Sequence, residues 1–351
     1  KIDSNLQPDI AEKIIIARKC LQKRIESNSA LSKFIETFDR GRYNLNANVG
    51  ENLFFGTSIC DQFRGTKIAE QPCVRAVLDD FGLTNVFLEI GKKVAKTMIE
   101  LFSDLPPEHE FFRTYSFISS EELPDYEQML DRISRGYVIE EEDKTKLLAL
   151  PFQLVPSRHR LGMITEEVQN QILEARQVLL KDMPVDFLEG ISFFDKECFN
   201  PEVSLQENIL FGKVAHGVAS GSEQIDEVIS EIIDELDLRG AVISVGLNAS
   251  VGVGGSLLSN AQRQKLNIGR CIMKDPDLTI IDGAADTLDR KAQEKLIEAT
   301  LCGRTGRGVV WAMNRLHRAD LFDHIVIMKD GKIMEQGPPN YMFKHLNSGD
   351  T

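Results

Sequence analysis

The 351-residue chain has 54 acidic against 41 basic residues, a formal net charge of −13, which argues against non-specific binding to nucleic acid or anionic lipid because both need a basic face. With 42% hydrophobic and 27% charged residues it has the composition of an ordinary soluble globular protein, is long enough for two domains, and contains no apolar run near the ~20 residues that a membrane helix needs. Its six cysteines, at positions 20, 60, 73, 198, 271 and 302, form no CxxC pair, so neither a metal nor a disulfide framework is expected and the reducing cytosol is the natural setting.

In chain order, residues Asp9 to Arg24 read as an amphipathic helix, with Asp9 as N-cap and Glu12 three places later. A strand is expected at Phe34 to Phe38, followed by an Asn-rich loop whose Asn48 caps a helix containing Glu51 to Phe55. An apolar helix at Val94 to Phe102 leads into Pro-containing loops, then a short helix at Tyr126 to Ile133. The acidic run Glu140 to Asp143 opens a helix over Lys144 to Leu150, where carboxylates suit the positive helix end. Ser157-Arg158-His159-Arg160 reads as a connector and is the most basic spot in the acidic chain.

The chain repeats itself. FDRGRYNLNANVGENLFFG at Phe38 to Gly56 aligns without a gap to FDKECFNPEVSLQENILFG at Phe194 to Gly212. Upstream, Ala17-Arg18 faces Ala175-Arg176, and downstream VLDDFGL parallels IIDELDL. Two related units follow, 1–163 and 164–351. After the second copy, Glu223 to Leu236 is a helix with one apolar face.

Only the second unit continues into Val251 to Asp289. There a Gly-rich loop precedes a helix capped by Ser259, expected to bury Leu266, Ile268 and Ile272. Asp275-Pro276-Asp277 stops that helix. Leu278 to Ile281 then reads as a buried parallel strand with Asp282 at its carboxyl edge, where ligands bind in open α/β sheets.

This stretch resembles the second half of an ATP-binding cassette (ABC) nucleotide-binding domain. Val309 to Met313, with Trp311 as packing, resembles that family's next core strand, and Ile325 to Gly337 its late hairpin, turning at Asp330-Gly331. Leu258-Ser259-Asn260-Ala261-Gln262 stands where that family has its LSGGQ signature, Leu278 to Asp282 where it has the Walker B strand, and Asp286-Thr287-Leu288-Asp289 where it has the D-loop. The ENILFG run at Glu207 to Gly212 resembles that of exporter-type cassettes, and on that alignment Lys196, like Arg40 in the first unit, occupies the Q-loop glutamine position. The chain also departs from the pattern. Gly283 stands at the place of the catalytic glutamate, Asn314 at that of the switch histidine, and no GxxxxGK[ST] phosphate loop occurs in the 351 residues.

The resemblance implies an α/β fold, a partial P-loop NTPase-like sheet of the ABC type with a large, mainly helical, internally duplicated insertion. It implies ATP and Mg²⁺ as cofactors, with Asp282 as the metal ligand. Ser259, Asn260, Ala261, Gln262, Asp289, Asn314 and Lys196 are the implied nucleotide contacts, and no residue fills a catalytic role. The expected function is that of the nucleotide-binding segment of an ATP-coupled, exporter-like membrane transporter at the cytoplasmic side of the membrane. Its phosphate loop would come from sequence upstream of Lys1, and its partners would be a transmembrane domain and a second nucleotide-binding domain, with no nucleic acid. Weak turnover or none is expected, because the general base is missing. The alternative is a pseudo-ABC regulatory or scaffold module that binds no nucleotide.

Overall fold

The computed structural model describes residues 8–28, 30–63, 65–106, 112, 115–216, 221–283, 285, 288, 290–302, 306–314 and 318–342. The chain divides into two compact units, Lys1–Asn248 and Ala249–Thr351. The repeat boundary at 163/164 therefore lies inside the first unit, where the two copies pack together.

The first copy comprises α1 (Pro8–Ser27), β1 (Ile35–Thr37), α2 (Val49–Phe54) and β2 (Gly56–Ser58). Asp9 sits in the first turn of α1 rather than capping it, a position that still favours a carboxylate. Asn48 caps α2 as expected, with a full capping box: its side chain accepts the Glu51 amide and the Glu51 carboxylate accepts the Asn48 amide. After α3 (Pro72–Asp80) and α4 (Leu83–Phe102) come α5 (Leu123–Ser134) and α6 (Glu141–Ala149). The second copy comprises α7 (Glu166–Asp182), β3 (Ile191–Phe193), α8 (Leu205–Leu210) and β4 (Gly212–Val214), and is followed by α9 (Gly221–Glu235) and α10 (Arg239–Asn248).

The main core forms around α4, whose Leu83, Phe87, Ile90, Val94, Met98 and Phe102 recur at three- and four-residue spacing and are all buried. Each contributes about 1.5–3 kcal/mol on leaving water. Gly91 lets α6 approach closely: a Cβ there would lie 2.1 Å from the Leu147 carbonyl oxygen.

The two copies exchange partners. β1 pairs antiparallel with β4, and β2 with β3, so neither copy pairs its own strands. Likewise α1 packs on α8 and α2 on α7. Phe38 and Phe194, equivalent residues, stack at 3.7 Å between centroids and 7° between planes. The glycine ending each ENxxFG run is required by the exchange. A Cβ on Gly56 would sit 2.7 Å from the Ser192 carbonyl oxygen, and one on Gly212 2.4 Å from that of Glu36. The preceding Phe55 and Phe211 are both left-handed, at φ 49 and φ 47. That turn aims each ring into the shared aromatic cluster, Phe55 edge-on to Phe194 and Phe211 edge-on to Phe38.

The second unit comprises α11 (Asn260–Met273), β5 (Leu278–Asp282), α12 (Arg290–Leu301), β6 (Gly308–Ala312), β7 (Ile325–Lys329) and β8 (Lys332–Gly337). β5 and β6 are parallel, and β7 and β8 form the expected hairpin, with Asp330 and Gly331 both at positive φ as a two-residue turn of the primed type requires. Trp311 is only half-buried within β6.

Two expectations fail here. β5 is not buried on both faces: Thr279 and Ile281 are covered, but Leu278 is 54% and Ile280 69% exposed. On α11 only Ile268 is buried, and Leu266 is 47% exposed. Successive side chains of a strand point to opposite faces, and only the face of Thr279 and Ile281 is covered by packing. Among the described residues every sheet is two-stranded. The mixture of helix and sheet stands, whereas the wide sheet of a P-loop NTPase is not formed by these strands.

Candidate functional site

The Gly-rich loop ahead of α11 turns at Gly252, which has φ 75 and would carry a Cβ only 2.4 Å from Ser256 Oγ. Ser259 then caps α11. Its Oγ accepts the Gln262 amide at 3.2 Å, and Gln262 Oε1 accepts the Ser259 amide at 2.9 Å. The N-terminus of α11 thus satisfies two of its own donors internally, leaving the amides of Asn260 and Ala261 as the first-turn donors outside the box. Asn260 Oδ1 accepts a hydrogen bond from the Arg263 guanidinium, which holds that side chain against its own helix. A helix N-terminus attracts anions through its free amides and its dipole. Here the dipole is intact and half the amide cradle is taken.

Asp282 ends β5 in register with Ala312 of β6, and Asn314 follows two residues beyond β6. Both side chains are exposed at the carboxyl ends of adjacent parallel strands, the edge where α/β sheets bind ligands. No group of three or more His, Cys, Asp or Glu able to hold a metal, at Asp282 or elsewhere, occurs among the described residues. A single carboxylate fits a Mg²⁺ whose remaining oxygens come from phosphate and water, and does not fit a metal held by protein alone. Gly283 has φ 59, a backbone conformation that favours glycine. Asp286, Thr287 and Asp289 of the D-loop-like stretch lie outside the described residues.

Lys196 belongs to the first unit, and its side chain is exposed. What the fold uses at this position is the backbone. The Lys196 and Asp195 carbonyls accept from Arg18 Nη1, while Arg18 Nε donates to the Asn208 carbonyl at 2.7 Å. The other copy mirrors this. Arg176 donates to the carbonyls of Asn52 and Arg40. Each copy's Q-loop-like turn therefore wraps the buried arginine of the other copy. Burial pulls the Arg176 guanidinium down to about 10, against the raising influence of Tyr43 and Asp39, and lowers Arg18 in the same sense.

Sequence reasoning missed this role, although its signal was present in the repeated Ala-Arg dipeptide. It also missed Lys213, whose ammonium bridges Glu51 and Glu207, the equivalent glutamates of the two ENxxFG runs, at 2.9 and 2.5 Å.

Comparison with curated proteins points the same way as the motifs. The chain is 24% identical over 277 residues to the glutathione/L-cysteine transport system ATP-binding/permease protein CydC of Escherichia coli, covering 73% of this chain and 45% of that one. It is 29% identical over 161 residues to the probable multidrug resistance ABC transporter ATP-binding/permease protein YheI of Bacillus subtilis, covering 46% and 26% respectively. Its homologues are ABC-type exporter proteins. A third, the ABC-type transporter fsqE of Aspergillus fumigatus, is 27% identical over 168 residues, 47% of this chain and 12% of that transporter. The chain spans less than half the length of these ABC relatives. No protein-family profile matches it, and no solved structure does. Among the described residues no helix is long and apolar enough to cross a membrane.

Proposed function

We propose that the chain is the nucleotide-binding segment of an ATP-coupled, exporter-type membrane transporter, holding ATP at this site better than it turns it over. The observation that carries the reading is Asp282 at the carboxyl end of β5, in parallel register beside β6 and directly after a helix capped by Ser259. Magnesium-ATP, when bound, supplies the phosphates that complete the metal's oxygen shell. Asp282 would take one position on the metal, and the Asn260 and Ala261 amides would face the terminal phosphate held by a second nucleotide-binding domain. With Gly283 and Asn314 at the polarising positions no side chain takes a proton from water, and general-base assistance of typically 10²–10⁴-fold is forgone. The transmembrane domain and the second cassette are the partners this reading requires.

The test is equilibrium binding of a fluorescent ATP analogue with Mg²⁺ to this chain and to a version extended upstream of Lys1. Binding by the extended version, lost in Asp282→Asn, supports the reading. The second reading, a regulatory module without nucleotide, is favoured by the closed capping box and the Arg263–Asn260 contact. Absence of binding by either version selects it.

A further inference from the structure

The first unit contains a cavity at the end of α4 that the nucleotide reading does not use. Met98 and Phe102 are buried there, but Leu101, in the same turn, is 61% exposed. With Leu105, Phe117 and Leu161 these three wall an apolar lobe of about 360 Å³. That volume is within the range of small-molecule sites. It is more than twice that of a cavity, about 150 Å³, that holds benzene, so a body of two fused rings fits. The Phe102 and Phe117 rings and the Met98 thioether favour an aromatic occupant over an aliphatic one.

One end of the lobe is polar. His159 lines it and packs edge-on against Phe117 at 4.8 Å. The Val155 amide donates to His159 Nδ1 at 2.9 Å, so the neutral ring carries its proton on Nε2 and offers a donor there. Burial, and then the Arg158 charge, hold the imidazole below its usual range, which keeps it neutral near pH 7. Phe117 and His159 also line a more polar lobe of about 420 Å³, bordered by Asn48, Thr57 and Gln153. Thr57 Oγ1 is buried and has no hydrogen-bond partner among the described residues, which marks polar space with room for one. The charged side chains on these walls, among the described residues, are already engaged. The Glu51 carboxylate is taken up by Lys213 and the Asn48 amide, and the Arg158 guanidinium lies over the Tyr115 ring, 5.4 Å from its centroid. The space therefore suits a molecule that is apolar along most of its length, ends in a hydrogen-bonding group and carries no charge.

We propose that this cavity binds a small uncharged hydroxylated aromatic molecule, its two-ring body against Met98, Leu101 and Phe102 and its hydroxyl oxygen accepting from the His159 Nε2–H. A charged head group would leave water for walls whose charges are already matched, which is costly. A wholly hydrophilic molecule would leave the apolar wall unfilled.

The test is isothermal titration of the full chain at neutral pH with 2-naphthol, with 2-naphthoate, which has the same rings and an anionic head, and with glycerol. 2-Naphthol is expected to bind with a dissociation constant below about 1 mM, roughly tenfold or more tighter than either comparator. Leu101→Glu, at an exposed side chain, puts a charge into the apolar wall and weakens 2-naphthol about tenfold. Leu247→Glu, at an exposed residue lining neither lobe, leaves it unchanged. The proposal is overturned if 2-naphthol fails to bind, if 2-naphthoate or glycerol binds as well, or if Leu101→Glu has no effect in a variant whose circular dichroism is that of the parent. The three-ligand comparison on the parent chain decides the matter even where a variant does not fold.

Discussion

The two copies in the first unit agree where the fold needs them to and differ at one revealing pair. Both end β1 or β3 in a turn whose carbonyls hold the other copy's arginine. Both close a capping box, put a phenylalanine in the left-handed region, and follow it with a glycine pressed against the exchanged strand. Asn52 and Asn208 even bind the backbone of Asn44 and Asn200 through the same pair of hydrogen bonds, eight residues apart in each copy. The ENxxFG run is therefore explained here by packing, without appeal to nucleotide. The copies part at Thr57 and Lys213, which follow the two glycines. Lys213 neutralises both copies' glutamates, whereas Thr57 has no hydrogen-bond partner among the described residues. One cation serves the glutamates of both copies.

The largest blow to this symmetry is removal of a wrapped arginine. Arg176→Ala strands the Asn52 and Arg40 carbonyls in the interior, and unfolding titrations should register a loss of about 3 kcal/mol or more, with Arg18→Ala similar. Unequal losses would mean that the copies are not equivalent supports.

Lys213→Thr, which makes the second copy resemble the first, leaves Glu51 and Glu207 facing each other with no cation. A loss of about 3 kcal/mol is expected, largely recovered by adding Glu207→Gln. The pH dependence has a definite sign. Burial alone would raise Glu207, but Lys213 and Ser204 outweigh it and hold its pKa down. The bridge's contribution is thus present above the usual carboxylate range and lost as pH falls through the lowered value. Lys213, raised despite burial by Glu51 and Glu207, contributes below its usual range and loses that contribution as pH rises through the raised value. Melting temperatures at acid, neutral and alkaline pH should trace a plateau that Lys213→Thr abolishes.

Gly212→Ala comes next, at about 2 kcal/mol, because the new Cβ meets the Glu36 carbonyl rather than a side chain that can move. Gly56→Ala should cost a similar amount through Ser192. The smallest effect belongs to Thr57→Val. Replacing an unpartnered hydroxyl by a methyl should be neutral or stabilise by up to about 1 kcal/mol in thermal melts, whereas a clear loss would reveal a partner for that hydroxyl.

What could be read from the sequence was local. The caps at Asn48 and Ser259, the Asp330-Gly331 turn and the gapless repeat each depend on residues close together in the chain, and all were legible. The order of α11, β5 and β6 was legible too, because the Ser cap, the Pro276 stop and two apolar runs fix it. The strand exchange was not. Three-residue strands carry no signal for their partner, and β1 could as well have paired with β2. The exposure of Leu278 and Ile280 was hidden because an apolar run says nothing of whether one face or both will be packed over. For the candidate site, the strand-end positions of Asp282 and Asn314 and the Ser259 cap were legible in the sequence, whereas the hold of the Lys196 carbonyl on Arg18 was not.

The exchange has a consequence for how the chain is made. Arg18 and its acceptor Asn208 lie 190 positions apart, and β1 has no strand to join until β4 has been synthesised. On the ribosome the first copy must wait, its strand edge and aromatic ring uncovered, through most of the unit's translation. Such late-closing topologies fold slowly and expose sticky intermediates. A nascent chain stalled before residue 191 should therefore be held by chaperones and cut readily by protease, gaining resistance in one step once Val214 has emerged.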